Sequence, residues 1–322
     1  MPELKRLGIL DDYQGVALLL GPWDRLPESL QIEVYRKTLK DQDKLVERLA
    51  PLDALLIMRE RTPFPRALLE RLPNLKLLIT TGGRNASIDL KACAERGVTV
   101  CGTASFGAPT VEITWGLILE LMRRLGTEQA SLREGYWQSK LGRTVEGKTL
   151  GLVGLGNLGS RVAKVAQAFG MKVIAWSQNL TEERAKEIGA TRVTKEQLFE
   201  QADVVSLHLV LSDRSRGVVG AAELGRMKQT AVIVNTSRGP LIDQDALIAA
   251  LKAGTIAGAG LDVYDIEPLP ADHPILAAPN TVLTPHLGYS TEENYRAYYA
   301  SAVEAIEAYL AGKPVPRPLQ AY

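Results

Sequence analysis

Three polar residues in the second half of the chain each stand just past an apolar run: Arg238 in VNTSRGPLID, Glu267 in GLDVYDIEPLP and His286 in TPHLGYST. Their side chains make a chemically coherent set. Arginine carries a permanent planar cation that grips a carboxylate through two parallel hydrogen bonds, which lysine does poorly. Histidine titrates near neutrality and can give or take a proton, while a carboxylate beside it orients the ring and favours its protonated form. Taken singly, each has an ordinary role open to it: a surface ion pair, a loop carboxylate, a core histidine. Position sets them apart, because ligands of open α/β sheets bind beyond the carboxyl ends of the strands.

Upstream lies the segment TLGLVGLGNLGSRVAKVAQAFG, in which Gly154, Gly156 and Gly159 follow an apolar run and open a stretch whose apolar face is Val162, Val165, Ala166 and Phe169. In this spacing Gly154 lets the chain turn tightly and Gly159 lets the helix pack on the strand. Gly156, with Leu155, Asn157 and Leu158 around it, lets backbone amides approach a pyrophosphate. Such a spacing alone is weak; with strand, helix and next strand in place it points to a dinucleotide. Where the NAD form ends that next strand in a carboxylate, this chain reads Trp176, Ser177, Gln178, Asn179. Nothing there repels a 2′-phosphate, and Ser177, Gln178 and Asn179 can hydrogen-bond one. NADP(H) is therefore favoured, with NAD(H) left open. Arg184, a little further on, reads as a helix residue that solvent can satisfy.

The elements that position these residues come in two series. LGIL, IEVY, ALLIM, LKLLIT and VTVC read as strands alternating with helical segments such as DQDKLVERLA and SIDLKACAERG. After a turn-rich crossing near Cys101–Pro109, a second series begins at Thr149: TLGLVG, KVIAW, VVSLHLV, AVIVN, IAGAGLDV and TVLTP. Both series predict doubly wound parallel sheets covered by helices. The expected domains are 1–101 with 292–322, and 102–291, with hinges at the two crossings. Thr194 with Gln197 and Ser290 with Glu293 have capping-box spacing, and Asp243 stands at an N-cap position. A last helix, about Thr291 to Leu310, puts Tyr295, Tyr299, Val303, Ile306 and Leu310 on one face, predicted to pack back on the first domain.

Composition narrows the function. Lysine plus arginine is 38 against 37 aspartate plus glutamate, a net +1 that offers no field for nucleic acid or an anionic membrane. The start carries no apolar leader and no stretch is long enough to span a bilayer, so a cytoplasmic protein acting on a small molecule is expected. Cys93 and Cys101 are too few for a disulfide framework and lack zinc-site spacing, so no metal is expected.

Together, LVGLGNLG, the three polar segments and the two-domain layout resemble the D-isomer-specific 2-hydroxyacid dehydrogenases, among them glyoxylate/hydroxypyruvate reductases. The resemblance covers most of the chain and is strong from about Gly147 to Thr291. It implies a Rossmann nucleotide-binding domain inserted in a flavodoxin-like substrate domain. It gives Arg238 to the substrate carboxylate, His286 to proton transfer and Glu267 to the other ring nitrogen. Hydride reaching the carbonyl carbon of a 2-oxo acid leaves an alkoxide that needs such a proton. The resemblance also puts Asp262, Thr236, Ser237, Gly288 and Thr110 at the nicotinamide end, and His208, Leu209 and Val210 beside the adenosine. A homodimer is implied, with Trp137 on a domain or subunit surface.

The chain departs from the family in one loop. Thr81, Gly82, Gly83, Arg84, Asn85 stand where the family offers amides to the substrate, with Asp89 matching its later aspartate; Arg84 is a bulky cation in a place usually small. Gly82, Gly83 and Arg84 are the expected substrate contacts from the first domain, and Arg84 would favour a second acidic or polar group. Formate dehydrogenases, the nearest rivals in chemistry, usually carry glutamine in place of Glu267 and are longer. A dinucleotide-sensing interaction protein, like the corepressors on this fold, is the alternative of another class.

Overall fold

Short apolar strands alternate with helices throughout the computed structural model, which describes residues 2–320. Contacts divide the chain into two units, Met1–Phe106 with Ser290–Tyr322, and Gly107–Tyr289.

The first unit carries five parallel strands: β1 (Arg6–Ile9), β2 (Gln31–Val34), β3 (Ala54–Ile57), β4 (Leu77–Thr80) and β5 (Thr99–Gly102), in the order β2-β1-β3-β4-β5. Its central strands ALLI and LLIT are buried on both faces, which is why they read as unbroken apolar runs, while β2 at the edge is partly exposed. Asp53 binds the strand starts together: it accepts from the amides of Lys5 and Arg6 at 2.9 and 3.0 Å and from Lys76 Nζ at 2.9 Å. The helix Glu292–Leu310 buries Tyr295, Tyr298, Tyr299, Val303 and Ile306, with Tyr299 against Trp23 at 5.6 Å between ring centroids. This is the predicted stripe packing on the predicted unit; only Leu310 stays half-exposed. The helix starts one residue later than its capping pattern suggests. Thr291 is the N-cap, accepting from Asn294 N, and the Ser290 hydroxyl accepts from Gln14 Nε2 at 3.2 Å.

The second unit carries seven parallel strands: β6 (Thr149–Val153), β7 (Lys172–Trp176), β8 (Thr191–Arg192), β9 (Val204–Leu207), β10 (Val232–Asn235), β11 (Gly258–Leu261) and β12 (Thr281–Leu283). Their order is β12-β11-β10-β9-β6-β7-β8, so the winding reverses between β6 and β9. Six of the seven were legible as apolar runs. β8, two exposed residues at the sheet edge, has no apolar run to show. Asp203 repeats the device of Asp53, accepting from Thr149 N at 2.9 Å and Lys228 Nζ at 3.0 Å. Thr194 and Gln197 form the predicted reciprocal capping box, and Asp243 caps its helix through Ala246 N at 3.0 Å.

The crossings fall at 106/107 and 289/290. Residues 103–106 stay with the first unit because their amides are bound there: Thr103 N to Gly82 O, Ala104 N to Ser301 Oγ, and Phe106 N to Asn294 Oδ1.

Candidate active site

The glycine loop leaves β6 where the winding reverses. Gly154 N donates to Trp176 O on β7, and His208 N, past β9, donates to Val153 O, both at 2.8 Å. Gly154 has φ +105°, and a Cβ there would lie 2.6 Å from the His208 carbonyl oxygen. At Gly159 a Cβ would run into the Gly154 carbonyl, whereas at Gly156 it would meet nothing. The first intrahelical donor is Ser160 N, to Gly156 O at 2.9 Å, so the amides of Asn157, Leu158 and Gly159 form the open first turn that an anion can use. Beside them is a cleft of about 440 Å³ whose walls include Ser177, Gln178, Asn179, His208, Leu209 and Val210. Arg184 and Arg214 also line it, and no described lining residue is acidic. His208 Nε2 meets Ser206 Oγ at 2.9 Å while Nδ1 is cut off from water without a partner, and burial pushes the ring's pKa down from 6.5 to about 4.

The acid–base candidates lie beyond β11 and β12. Glu267 Oε2 is 2.6 Å from His286 Nδ1, and Glu267 Oε1 accepts from Tyr264 N at 2.9 Å, so one carboxylate is fixed at both oxygens. His286 itself has φ +55°. Its loop is held from below by Asp262, fully buried, which accepts from Leu287 N at 2.6 Å, Gly288 N at 2.8 Å and Thr284 Oγ1 at 2.6 Å. Burial raises the Asp262 carboxyl above its ordinary value, against the opposing pull of these donors and of His286. Arg238 follows β10; its Nη1 donates to Ser237 O at 2.7 Å, and Asn235 Nδ2 donates to Arg238 O at 2.9 Å. The next residue, Gly239, lies against the backbone of Tyr264 and Asp265, which packs the Arg238 turn on the segment leading to Glu267. Two hydroxyls join from the helix Ala108–Arg123: Thr110 Oγ1 donates to Gly288 O at 2.6 Å, and Thr114 meets Thr236 at 2.8 Å between hydroxyl oxygens. Ser237 Oγ donates to Leu207 O at 2.8 Å, tying the end of β10 to β9.

In the other unit, one of the expected contacts, Gly82, already has its amide engaged. Gly82 is buried at φ +83°, and its N–H already donates to Thr103 Oγ1 at 2.7 Å. Gly83 and Arg84 are exposed, and Asn85 pins the loop through Arg59 O and Thr80 Oγ1. Asp89 serves as the N-cap of the helix Leu90–Glu95, accepting from Ala92 N at 2.8 Å.

The profile of the D-isomer specific 2-hydroxyacid dehydrogenase, NAD binding domain, matches residues 115–288. The chain is 34% identical over 300 residues to a glyoxylate reductase of Korarchaeum cryptofilum, covering 91% of this chain and 90% of that one. It is 32% identical over 325 residues to a hydroxypyruvate reductase of Blautia hydrogenotrophica, covering 96% and 98%. The chain belongs to the D-isomer specific 2-hydroxyacid dehydrogenase family. Among solved structures it resembles a phosphoglycerate oxidoreductase of Vibrio cholerae, with TM-score 0.91, 38% identity, and coverage of 96% of this chain and 100% of that one. As a 2-hydroxyacid dehydrogenase it takes a nicotinamide dinucleotide, and the residues fit that group: the Gly154 turn, the Asn157–Gly159 amides and the adjoining cleft would hold it.

The structure also brings forward residues that spacing did not single out. Thr114, Thr284 and Asn235 hold Thr236, Asp262 and the Arg238 turn, and each is a small polar residue at or under a strand end. Arg214 reaches the dehydrogenase's nucleotide cleft from the loop after β9, with no sequence signal beyond its charge.

Proposed function

We infer that the protein interconverts a small 2-oxo acid and its 2-hydroxy acid, with Arg238 binding the carboxylate and His286 and Glu267 serving as the acid–base pair. The observation that carries this reading is the 2.6 Å Glu267–His286 contact at the carboxyl ends of parallel strands, in the unit that bears the glycine loop. The dinucleotide, when bound, supplies or accepts the hydride at C2. Glu267 accepts the Nδ1 hydrogen of His286 and holds the ring in one orientation, leaving Nε2 to deliver a proton to the substrate oxygen in reduction and to remove it in oxidation. Thr236, Ser237, Asp262, Gly288 and Thr110 are assigned to the nicotinamide end. One hydroxyl and two amides already donate to Asp262, and Oδ2, with one donor, keeps an acceptor position for an amide. Leu209, Val210 and His208 are assigned to the adenosine side. The unit 107–289 is the dinucleotide domain, and the other unit is the substrate domain, with Gly83 and Arg84 its discriminating residues.

NADP(H) is the preferred carrier in this reading and NAD(H) the lesser one, supported by Ser177, Gln178 and Asn179 at the end of β7 and the lack of acidic side chains among the described lining residues. Small 2-oxo acids such as glyoxylate and hydroxypyruvate, named for the relatives, are the substrates favoured. Arg84 favours those with a further acidic or polar group. The protein acts as a cytoplasmic homodimer. The test mixes purified protein with NADPH or NADH and glyoxylate, hydroxypyruvate, pyruvate, phenylpyruvate or branched 2-oxo acids, and follows loss of reduced cofactor. Oxidation of NADPH with at least one acid is expected. Cofactor binding without turnover of any acid would replace this reading with that of a sensor.

A further inference from the structure

The nucleotide cleft contains a fixed cation that the strand-end residues do not account for. Arg214 stands on the loop after β9, and its Nε donates to Gln178 Oε1 at 2.8 Å; its Nη2 donates to the same oxygen. Gln178 Nε2 in turn reaches the Arg214 carbonyl oxygen at 3.5 Å, so the two residues are linked in both directions across the mouth between β7 and β9. The loop is stiffened underneath by Ser215, whose buried hydroxyl accepts from Ser212 N at 2.8 Å and donates to Val210 O at 2.7 Å. The other cleft guanidinium is differently placed. Arg184 is shared with Glu187 at 3.0 Å, whereas Arg214 is held by a neutral amide that leaves its charge undiminished. A guanidinium has five N–H donors, and the two given to Gln178 leave three for an anion.

We propose that Arg214, oriented by Gln178, is the group that recognises the 2′-phosphate of NADP(H), an inference that rests on the NADP(H) reading above and names the residue responsible. Ser177 and Asn179 contribute neutral hydrogen bonds at the end of β7; Arg214 contributes the charge. A 2′-phosphate carries close to two negative charges, and a charge-assisted guanidinium–phosphate contact is the strong, geometrically specific kind. The unphosphorylated ribose of NAD(H) has no anion for Arg214 to meet, so its loss should be felt by one cofactor alone.

The test measures binding without turnover, by calorimetry with 2′,5′-ADP and 5′-ADP as probes and by nucleotide fluorescence with NADPH and NADH. In the unaltered protein 2′,5′-ADP binds more tightly than 5′-ADP. Arg214→Ala weakens 2′,5′-ADP and NADPH on the order of 10- to 100-fold and leaves 5′-ADP and NADH within about 2-fold. Arg214→Lys, which keeps the charge and loses the fork, recovers part of the loss. Gln178→Ala, which frees the guanidinium without removing it, weakens 2′,5′-ADP by less than Arg214→Ala and leaves the salt dependence of binding intact, while Arg214→Ala flattens it. If the unaltered protein binds 2′,5′-ADP no better than 5′-ADP, the NADP(H) reading itself falls. If that preference exists and Arg214→Ala retains it, or weakens both probes equally, the assignment of Arg214 alone is overturned.

Discussion

Two single-residue outcomes follow from the proposed chemistry, in which Glu267 and His286 lie 2.6 Å apart and Arg238 holds the carboxylate. His286→Ala should lower the rate of 2-oxo acid reduction about 10²- to 10⁴-fold, the usual worth of a positioned proton donor, while NADPH binding followed by fluorescence is retained. Full activity in this variant would remove the histidine from the chemistry. Arg238→Lys keeps the charge but loses the planar fork, so kcat/KM should fall roughly 10- to 100-fold, most visibly as a raised KM in steady-state assays. His208 bears on stability. Its folded pKa, about 4, lies below its unfolded value of 6.5, so the unfolded chain alone takes up a proton as pH falls through that window. Its contribution is complete above pH 6.5 and is lost toward pH 4, up to about 3 kcal/mol. Urea unfolding at pH 7.5 and pH 5 should show this slope in the unaltered protein and a smaller one in His208→Asn. Asp53 and Asp203 act in the same direction at lower pH. Burial raises both carboxyls, but the lysine and backbone donors outweigh it and hold them below the ordinary carboxylate value, so their contribution is lost as pH falls through their depressed pKa values.

At the scale of elements, the glycine loop and the His286 loop are each positioned by backbone rather than by large side chains. Gly154 combines a left-handed conformation with a neighbour 2.6 Å from any Cβ, so Gly154→Ala carries both strain and a clash with the His208 carbonyl. A loss of about 1 to 3 kcal/mol in unfolding free energy is expected, together with loss of nucleotide binding by calorimetry. An alanine that left both unchanged would mean that the loop is not built as described. The Asp262 network explains how His286 is held at φ +55°: two consecutive amides and a strand-end hydroxyl fix the chain on either side of it.

At the scale of the whole molecule, one segment of the second unit is left uncovered. The helix Leu125–Arg133 buries none of its residues, and Leu125, Leu132, Tyr136, Trp137 and Leu141 are all exposed, the last two by 78% and 93%. Exposed apolar residues along one segment suit an interaction surface, and the proposed homodimer would use them. If these residues form the contact of the proposed homodimer, replacing Trp137 and Leu141 together by serine should lower the sedimentation coefficient to that of a monomer; an unaltered coefficient would remove this segment from the proposal. Among the described residues no helix is long and apolar enough to cross a membrane.

Local order in the chain was enough to determine the parallel strands, the glycine loop and most helix caps, and to single out Arg238, Glu267 and His286 as candidates. Buried parallel strands declare themselves as apolar runs, and a turn that must bend against a carbonyl declares itself as glycine. What the sequence could not supply were relations between residues far apart along it. The Gly82 amide is engaged because Thr103, 21 residues on, lies beside it. The last helix is capped by Thr291, while Ser290 meets Gln14 from the far end of the chain. Arg214 enters the nucleotide cleft because β9 lies next to β6, with β7 on its far side, which brings a residue 36 positions away to Gln178. Composition and spacing determine which groups are available; strand order and the competition for each hydrogen-bond partner decide which of them face the ligand.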